Sequence, residues 1–371
     1  MLIFLLLFIF LPKKEYSKTE NKLLSSFPKL SAETLFGKSV LKTQDENDDL
    51  RFTKKTEDYI KDHFPLKDRF VEIYALYGGA VKRSYCGNVL QGRDGYLLSE
   101  ERDATGRQKE NLASMERAFA EWAKTLPVTV AVSPTGSQYE KDKLPLLAPS
   151  SAIDGNRALL LETFGGGKNY AFVDLYEALA ASGAEGLFYR TDHHWTTLGA
   201  YYGSAAIKKA LGAEPKPLEH YRREIATEDF KGTLYNRSGA YWTRGERIEY
   251  FRYDGDGGYT VSFINARGAV TRTQEGFYNA ECLKDDYHGT AYDSFVTPVG
   301  PMLTISNGEE GKKTLLVLKD SYAHCALPFL AEDFDLVVLD VRSHRAYAEQ
   351  LIKDGAVDGI LVLVSTDTLF G

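Results

Sequence analysis

Short apolar runs at 128–132, 170–174, 314–318, 336–339 and 359–364 alternate with stretches of helical periodicity, and this alternation restricts the fold more than any other feature of the sequence. Each run is too short for a helix and lacks polar alternation, the pattern of strands buried on both faces, as in parallel sheets. Helix signals near 110–125, 156–164, 197–210, 322–330 and 346–354 supply the layers that cover those faces. Between about 225 and 307 the pattern becomes Tyr-rich, Gly-punctuated and alternating, as in Ile248-Glu-Tyr-Phe-Arg-Tyr253 and Tyr259-Thr-Val-Ser-Phe263, which reads as antiparallel sheet. The expectation is one discontinuous α/β domain, 58–224 and 308–371, around a β-rich insertion at 225–307.

Upstream, 2–11 is unbroken apolar sequence ending at Pro12-Lys13-Lys14, about half of the ~20 residues a helix needs to span a bilayer. No basic residue precedes it and no small-x-small cleavage pattern follows, so 1–12 reads as a signal anchor or the remnant of one, with a buried strand or interfacial segment as the alternative. A polar stalk or arm is expected over 13–57, then helices over 56–81 and a hairpin at 88–98 turning on Asp94-Gly95.

Composition narrows the function classes. A net charge of −7 with scattered Lys and Arg argues against a nucleic-acid partner. Three cysteines, Cys86, Cys282 and Cys325, are too few and too far apart for a disulfide framework or a zinc knuckle. The 23 Tyr against 3 Trp suit sugar-facing surfaces as well as ordinary cores.

Two segments carry candidate chemistry. In Thr191-Asp192-His193-His194-Trp195-Thr196-Thr197, polar groups precede a helix start, and a carboxylate beside an imidazole can fix its tautomer for general-base work. Asp192 as a helix cap beside two ordinary histidines is the plainer reading. A metal site is disfavoured, because adjacent histidines point apart and His63, His220, His288, His324 and His344 show no ligand spacing. In Leu315-Leu-Val-Leu-Lys319-Asp320-Ser321-Tyr322, an apolar strand ends in a hydroxyl at the carboxyl edge of the sheet, where open α/β sheets bind ligands. A helix cap is again the alternative. Together the segments supply Asp, His and Ser, the parts of an acyl-transfer site.

Asp192-His193-His194-Trp195 followed by Lys319-Asp-Ser-Tyr322 resembles the DHHW proteins, which are related to the AlgJ and AlgX alginate O-acetyltransferase proteins. The likeness extends to Glu20-Asn21-Lys22-Leu23, Gly92-Arg-Asp-Gly95-Tyr-Leu, Ser133-Pro-Thr near Leu144-Pro145, Phe230-Lys-Gly232-Thr-Leu-Tyr235 and Asp340-Val-Arg342. It implies a permuted SGNH-hydrolase-like (flavodoxin-like) fold in which Ser321 attacks, His194 is the base and Asp192 orients it, with Arg342, Tyr322, Trp195 and His193 as oxyanion or substrate contacts. It further implies a polysaccharide substrate, with a membrane-bound acyltransferase as a possible acyl donor; the apolar start points outside the cytoplasm, and no metal or cofactor is expected. Hydrolysis at the same site, as an esterase or deacetylase, and a silent polysaccharide-binding subunit are the alternatives. Ser321-Tyr-Ala-His324 and Ser365-Thr366 depart from relatives that carry Asn at the corresponding places.

Two motifs are set aside. Asp254-Gly-Asp-Gly257-Gly258 resembles a calcium loop but has Asn265 where a bidentate Glu is required. Gly165-Gly-Gly167-Lys168 lacks the spaced glycine and the Ser or Thr of a phosphate-binding loop.

Overall fold

The computed structural model describes residues 2–31, 52–82, 84–146, 148, 150–166, 168–265, 267–296, 302–340 and 345–370. Its centre is an eight-stranded sheet. In chain order the strands are β1 (Val128–Ser133), β2 (Ala171–Asp174), β3 (Thr260–Ile264), β4 (Val270–Glu275), β5 (Met302–Ser306), β6 (Lys313–Lys319), β7 (Phe334–Asp340) and β8 (Gly359–Ser365). They lie in the order β4-β3-β5-β7-β6-β8-β1-β2. The portion β7-β6-β8-β1-β2 is parallel, and β5, β3 and β4 continue it antiparallel.

The expected fold is present: a mostly parallel sheet covered by helices on both faces. Alternate residues of one strand enter different cores, as the pleat requires. Leu315, Val317, Leu361 and Leu363 face one core, whereas Leu316, Leu318, Ile360, Val362 and Val364 face the other. β1 and β8 are buried along their whole lengths. Within 225–307, the described strands pair antiparallel with one another or with the chain before them. Three of them extend the central sheet, and Glu246–Arg252 forms a separate pair with Arg222–Phe230.

Local chemistry accounts for the details. Asp94 (φ 56°) and Gly95 (φ 81°) turn the chain between the paired strands Val89–Gln91 and Leu97–Ser99. The helix expected at 322–330 divides into a 3₁₀ turn, Ser321–Cys325, and a short helix, Leu327–Ala331. Pro328 lacks an N–H donor and so starts a helix rather than continuing one. The apolar N-terminal run forms a helix, Leu2–Phe10. Phe4 stacks on Phe64, and Phe8 meets Tyr59 edge-on. Among the described residues no helix is long and apolar enough to cross a membrane.

One contact fixes the site's position on this frame. Trp195 is fully buried against the helix Thr197–Ala210, and a Cβ on Gly203 would stand 2.7 Å from its ring. Gly203→Ala gains about 1 kcal/mol of helix propensity and costs about 1–3 kcal/mol of overpacking. Denaturant titration is expected to show net destabilisation. Gly155→Ala, in the helix Ser151–Phe164 with open space around its Cβ, is expected to stabilise by up to about 1 kcal/mol.

Candidate active site

The carboxyl edge of the parallel strands gathers Ser133, Asp174, Lys319 and Ser365 at the ends of β1, β2, β6 and β8. The chain leaves β6 at Asp320, whose buried carboxylate accepts from Tyr322 N at 2.9 Å, Ser365 N at 2.6 Å, Ser365 Oγ at 2.7 Å and Thr368 Oγ1 at 2.7 Å. These donors neutralise an otherwise costly buried charge and tie the turn carrying Ser321 to the end of β8. Ser365 is therefore engaged within the protein. His324 likewise faces inward, its Nε2 accepting from the buried Lys319 Nζ at 2.6 Å.

The 190–195 loop approaches this edge from the other side. Asp192 is buried, and its Oδ1 accepts from His194 N at 3.0 Å and lies 2.5 Å from His194 Nδ1. Its Oδ2 accepts from Thr233 N at 2.6 Å and Thr233 Oγ1 at 3.1 Å. Gly232 permits this approach, since a Cβ there would fall 2.2 Å from Asp192 Cβ. Burial works against the charged carboxylate. The His194 and His193 imidazoles, the hydrogen bond from His194 and the Thr233 N–H outweigh it and hold Asp192 well below the usual carboxylate range.

Beyond Asp192, His194 Nε2 lies 2.7 Å from Ser321 Oγ. With the carboxylate beside Nδ1, the imidazole proton belongs on Nδ1, which leaves Nε2 to accept from the Ser321 hydroxyl. The imidazole stacks on the buried Tyr292 ring, centroids 3.9 Å apart and 9° from parallel, and Tyr292 Oη donates to Ser321 O at 3.1 Å. Burial raises the Tyr292 phenol well above its ordinary pKa, so it stays a donor. Trp195 Nε1 donates to Tyr322 O at 2.8 Å, and Tyr322 Oη donates to His193 O. These two bonds join the two halves of the site across 127 and 129 residues of chain.

Asp192, His194, Ser321, His193, Trp195 and Tyr322 therefore meet in one place, and Arg342 lies outside the described residues. Trp195 and Tyr322 are buried and link the two loops. Sequence reasoning missed Thr233 and Tyr292. The first stood in the quoted motif around Gly232 without a role, and the second had no local signal. Cys325, one turn beyond Ser321, is a poor nucleophile, because burial pushes its thiol up to about 12. Asp192, His193 and His194 offer ligand atoms within 4.8 Å of one another, as a metal ion would need. Both nitrogens of His194 are engaged, by Asp192 and Ser321, and His193 Nδ1 lies 2.5 Å from Thr233 Oγ1. The arrangement suits proton transfer better than metal ligation.

Comparison with known proteins agrees with the resemblance carried by the Asp192-His193-His194-Trp195 motif. Residues 89–249 match the family model described as the SGNH hydrolase-like domain of acetyltransferase AlgX. A probable alginate O-acetylase AlgJ of Pseudomonas syringae pv. tomato is 27% identical over 198 residues, 50% of this chain and 50% of that protein. The chain thus spans about half the length of this curated relative. A DHHW family protein from Eubacterium siraeum matches with a TM-score of 0.63 and 26% identity, over 76% of this chain and 91% of that one. Bacillus cereus PatB1, solved with a sulfonyl adduct, shares the fold with a TM-score of 0.63 and 20% identity, over 77% of this chain and 97% of its own.

The site also predicts a pH response. Burial and the neighbouring His194 imidazole hold His193 below its ordinary imidazole pKa, against the pull of Asp192. The unfolded chain then binds that proton more readily, so stability falls as pH drops below about 6.5. His193→Gln is expected to shrink the loss of thermal midpoint between about pH 6.5 and pH 5. An unchanged loss would contradict a neutral His193.

Proposed function

From the premise that the chain is related to the DHHW and AlgJ/AlgX-type proteins, we propose that it is an extracytoplasmic O-acyltransferase, most simply an acetyltransferase, acting on a polysaccharide hydroxyl. The observation that carries this reading is the continuous hydrogen-bonded line Asp192, His194, Ser321 at the carboxyl edge of the sheet.

The Ser321 Oγ attacks the carbonyl carbon of an acyl donor while its proton passes to His194 Nε2. Asp192 stabilises the imidazolium, and the Ser321 N–H is available to the developing oxyanion. His194 then gives the proton to the departing group of the donor, leaving an acyl-serine. In the second half, a sugar hydroxyl attacks the acyl carbon and loses its proton to His194. That proton returns to Ser321 Oγ as the acyl–serine bond breaks, and the sugar ester leaves.

With water as acceptor the same residues release the free acid, as an esterase does. A membrane-bound acyltransferase supplying the donor, and attachment of this chain to the membrane through its N-terminal segment, belong to the same proposal. The helix Leu2–Phe10 has 9 residues and does not by itself span a bilayer.

The test uses a chromogenic acetyl ester, with and without an oligosaccharide acceptor. Acetate release or transfer is expected to fall about 1,000-fold or more in Ser321→Ala and in His194→Ala. Asp192→Asn is expected to fall by roughly 100- to 10,000-fold, through loss of the correct tautomer. A Ser321→Ala protein as active as the parent would remove the proposed nucleophile. An inert parent that still binds glycan would be a binding subunit.

Gly232→Ala provides a finer test. A Cβ pressed against Asp192 is expected to lower kcat while leaving the small-ester KM nearly unchanged. A change confined to KM would show that the close approach of Gly232 does not position the carboxylate.

A further inference from the structure

The helix Lys67–Lys82 keeps an apolar face in the open. Phe70, Ile73, Tyr74, Tyr77 and Val81 are each between 46% and 64% exposed. Their spacing of i, i+3, i+4, i+7 and i+11 places them within one arc about 100° wide. Leu76, on the flank of that arc, is exposed as well. The opposite side is pressed onto the protein: Ala75 is buried, and a Cβ on Gly79 would stand 2.5 Å from the Tyr85 ring. The cations beside the arc are engaged, Arg69 with Glu72 at 2.7 Å and Lys67 with Glu20 at 2.7 Å. About three helical turns of contiguous exposed apolar side chains mark a contact surface, not scattered surface residues.

Continuity is the first indication of what covers this face. The apolar helix Leu2–Phe10 meets its start, where Phe4 stacks on Phe64 with centroids 5.8 Å apart and lies 6.0 Å from the Phe70 ring. Every residue of that short helix is apolar, and Phe4, Leu6, Ile9 and Phe10 are exposed. A helix apolar on all sides belongs in apolar surroundings, and one face of a second copy would cover a single side of it. At 9 residues it is too short to cross a bilayer, but it has the composition to lie in the interface.

Charge is the second indication. Lys13 and Lys14 follow the helix directly and are exposed, and Lys13 Nζ donates to Phe8 O and sits 3.9 Å over the Phe8 ring. Ammonium groups at the edge of an apolar surface, with their stems lying along it, complement anionic headgroups.

We propose that the helices Leu2–Phe10 and Lys67–Lys82 form one docking surface for an anionic lipid bilayer, lying in its interface with Lys13 and Lys14 among the headgroups. The inference goes beyond attachment through the N-terminal segment and stands independently of the acyl-transfer reading. The arm between the two helices joins this surface to the site. Its Glu20 pairs with Lys67, and its Tyr16 stacks on His288, centroids 4.3 Å apart, four residues before Tyr292. Docking thus orients the site relative to the bilayer.

Co-sedimentation of the full chain with vesicles of phosphatidylcholine alone, and of equal parts phosphatidylcholine and phosphatidylglycerol, tests this. The parent is expected to bind both, the anionic vesicles more tightly, with the difference shrinking as salt is added. Ile73→Asp combined with Tyr77→Asp is expected to weaken binding to either vesicle by about tenfold or more. Lys14→Gln is expected to weaken binding about fivefold, to the anionic vesicles only. Ile73→Trp keeps the face apolar and is expected to add an emission that brominated lipid quenches, so the face is tested even if the aspartates prevent folding. No vesicle binding by the parent, undiminished binding by the double variant, or no added quenching in Ile73→Trp would overturn the proposal. So would a parent that is dimeric in solution and becomes monomeric in the double variant, since the face would then belong to a second copy. Hydrolysis of a small acetyl ester by the parent, measured in parallel, keeps the two readings apart. Docking without hydrolysis removes the enzyme and leaves the surface, and hydrolysis without docking does the reverse.

Discussion

A buried carboxylate governs the arrangement of the site. Asp192 is withdrawn from water, and an unpaired charge there would cost several kcal/mol. The chain meets that cost with the His194 backbone and ring and with Thr233. Each of these partners has a second task. His194 is turned so that its far nitrogen meets Ser321, and the Thr233 segment must come so close that only glycine fits at position 232. A structural requirement, neutralising Asp192, thus becomes a chemical one, an imidazole Nε2 held toward the Ser321 hydroxyl.

The serine side rests on the same logic. Asp320 is a second buried carboxylate, and its four donors clamp the Ser321 turn to the end of β8. The two clamped segments are then held in register by Trp195 on Tyr322, and by Tyr292, which stacks on His194 while bonding to the Ser321 carbonyl. All of these groups are buried or half-buried, in surroundings where hydrogen bonds are stronger than in water.

Much of the fold is legible in the sequence because parallel strands buried on both faces leave continuous apolar runs. The run at 359–364 became β8 (Gly359–Ser365), and the helix expected at 197–210 has those bounds. Antiparallel edge strands leave a weaker trace. β5 (Met302–Ser306) is only five residues long and follows a Gly-Pro segment, so nothing in its sequence says that it joins the central sheet. The helix Leu175–Ala181 is hidden because it follows directly on β2, with Asp174 ending the strand and capping the helix. Within the site, residue types and the resemblance point to Asp192, His194 and Ser321, but spacing alone could not pair groups 127 residues apart. Tyr292 was beyond reach for the same reason, since its contacts with His194 and Ser321 exist only in the tertiary structure.

The central claim is that His194, oriented by Asp192, makes Ser321 a nucleophile. Treating the protein with a sulfonyl fluoride and mapping the adduct by peptide mass spectrometry tests it most directly. The account predicts one adduct, on Ser321, formed much more slowly in the Asp192→Asn and His194→Ala proteins. An adduct on another residue, or one on Ser321 that forms equally fast without His194, would contradict it.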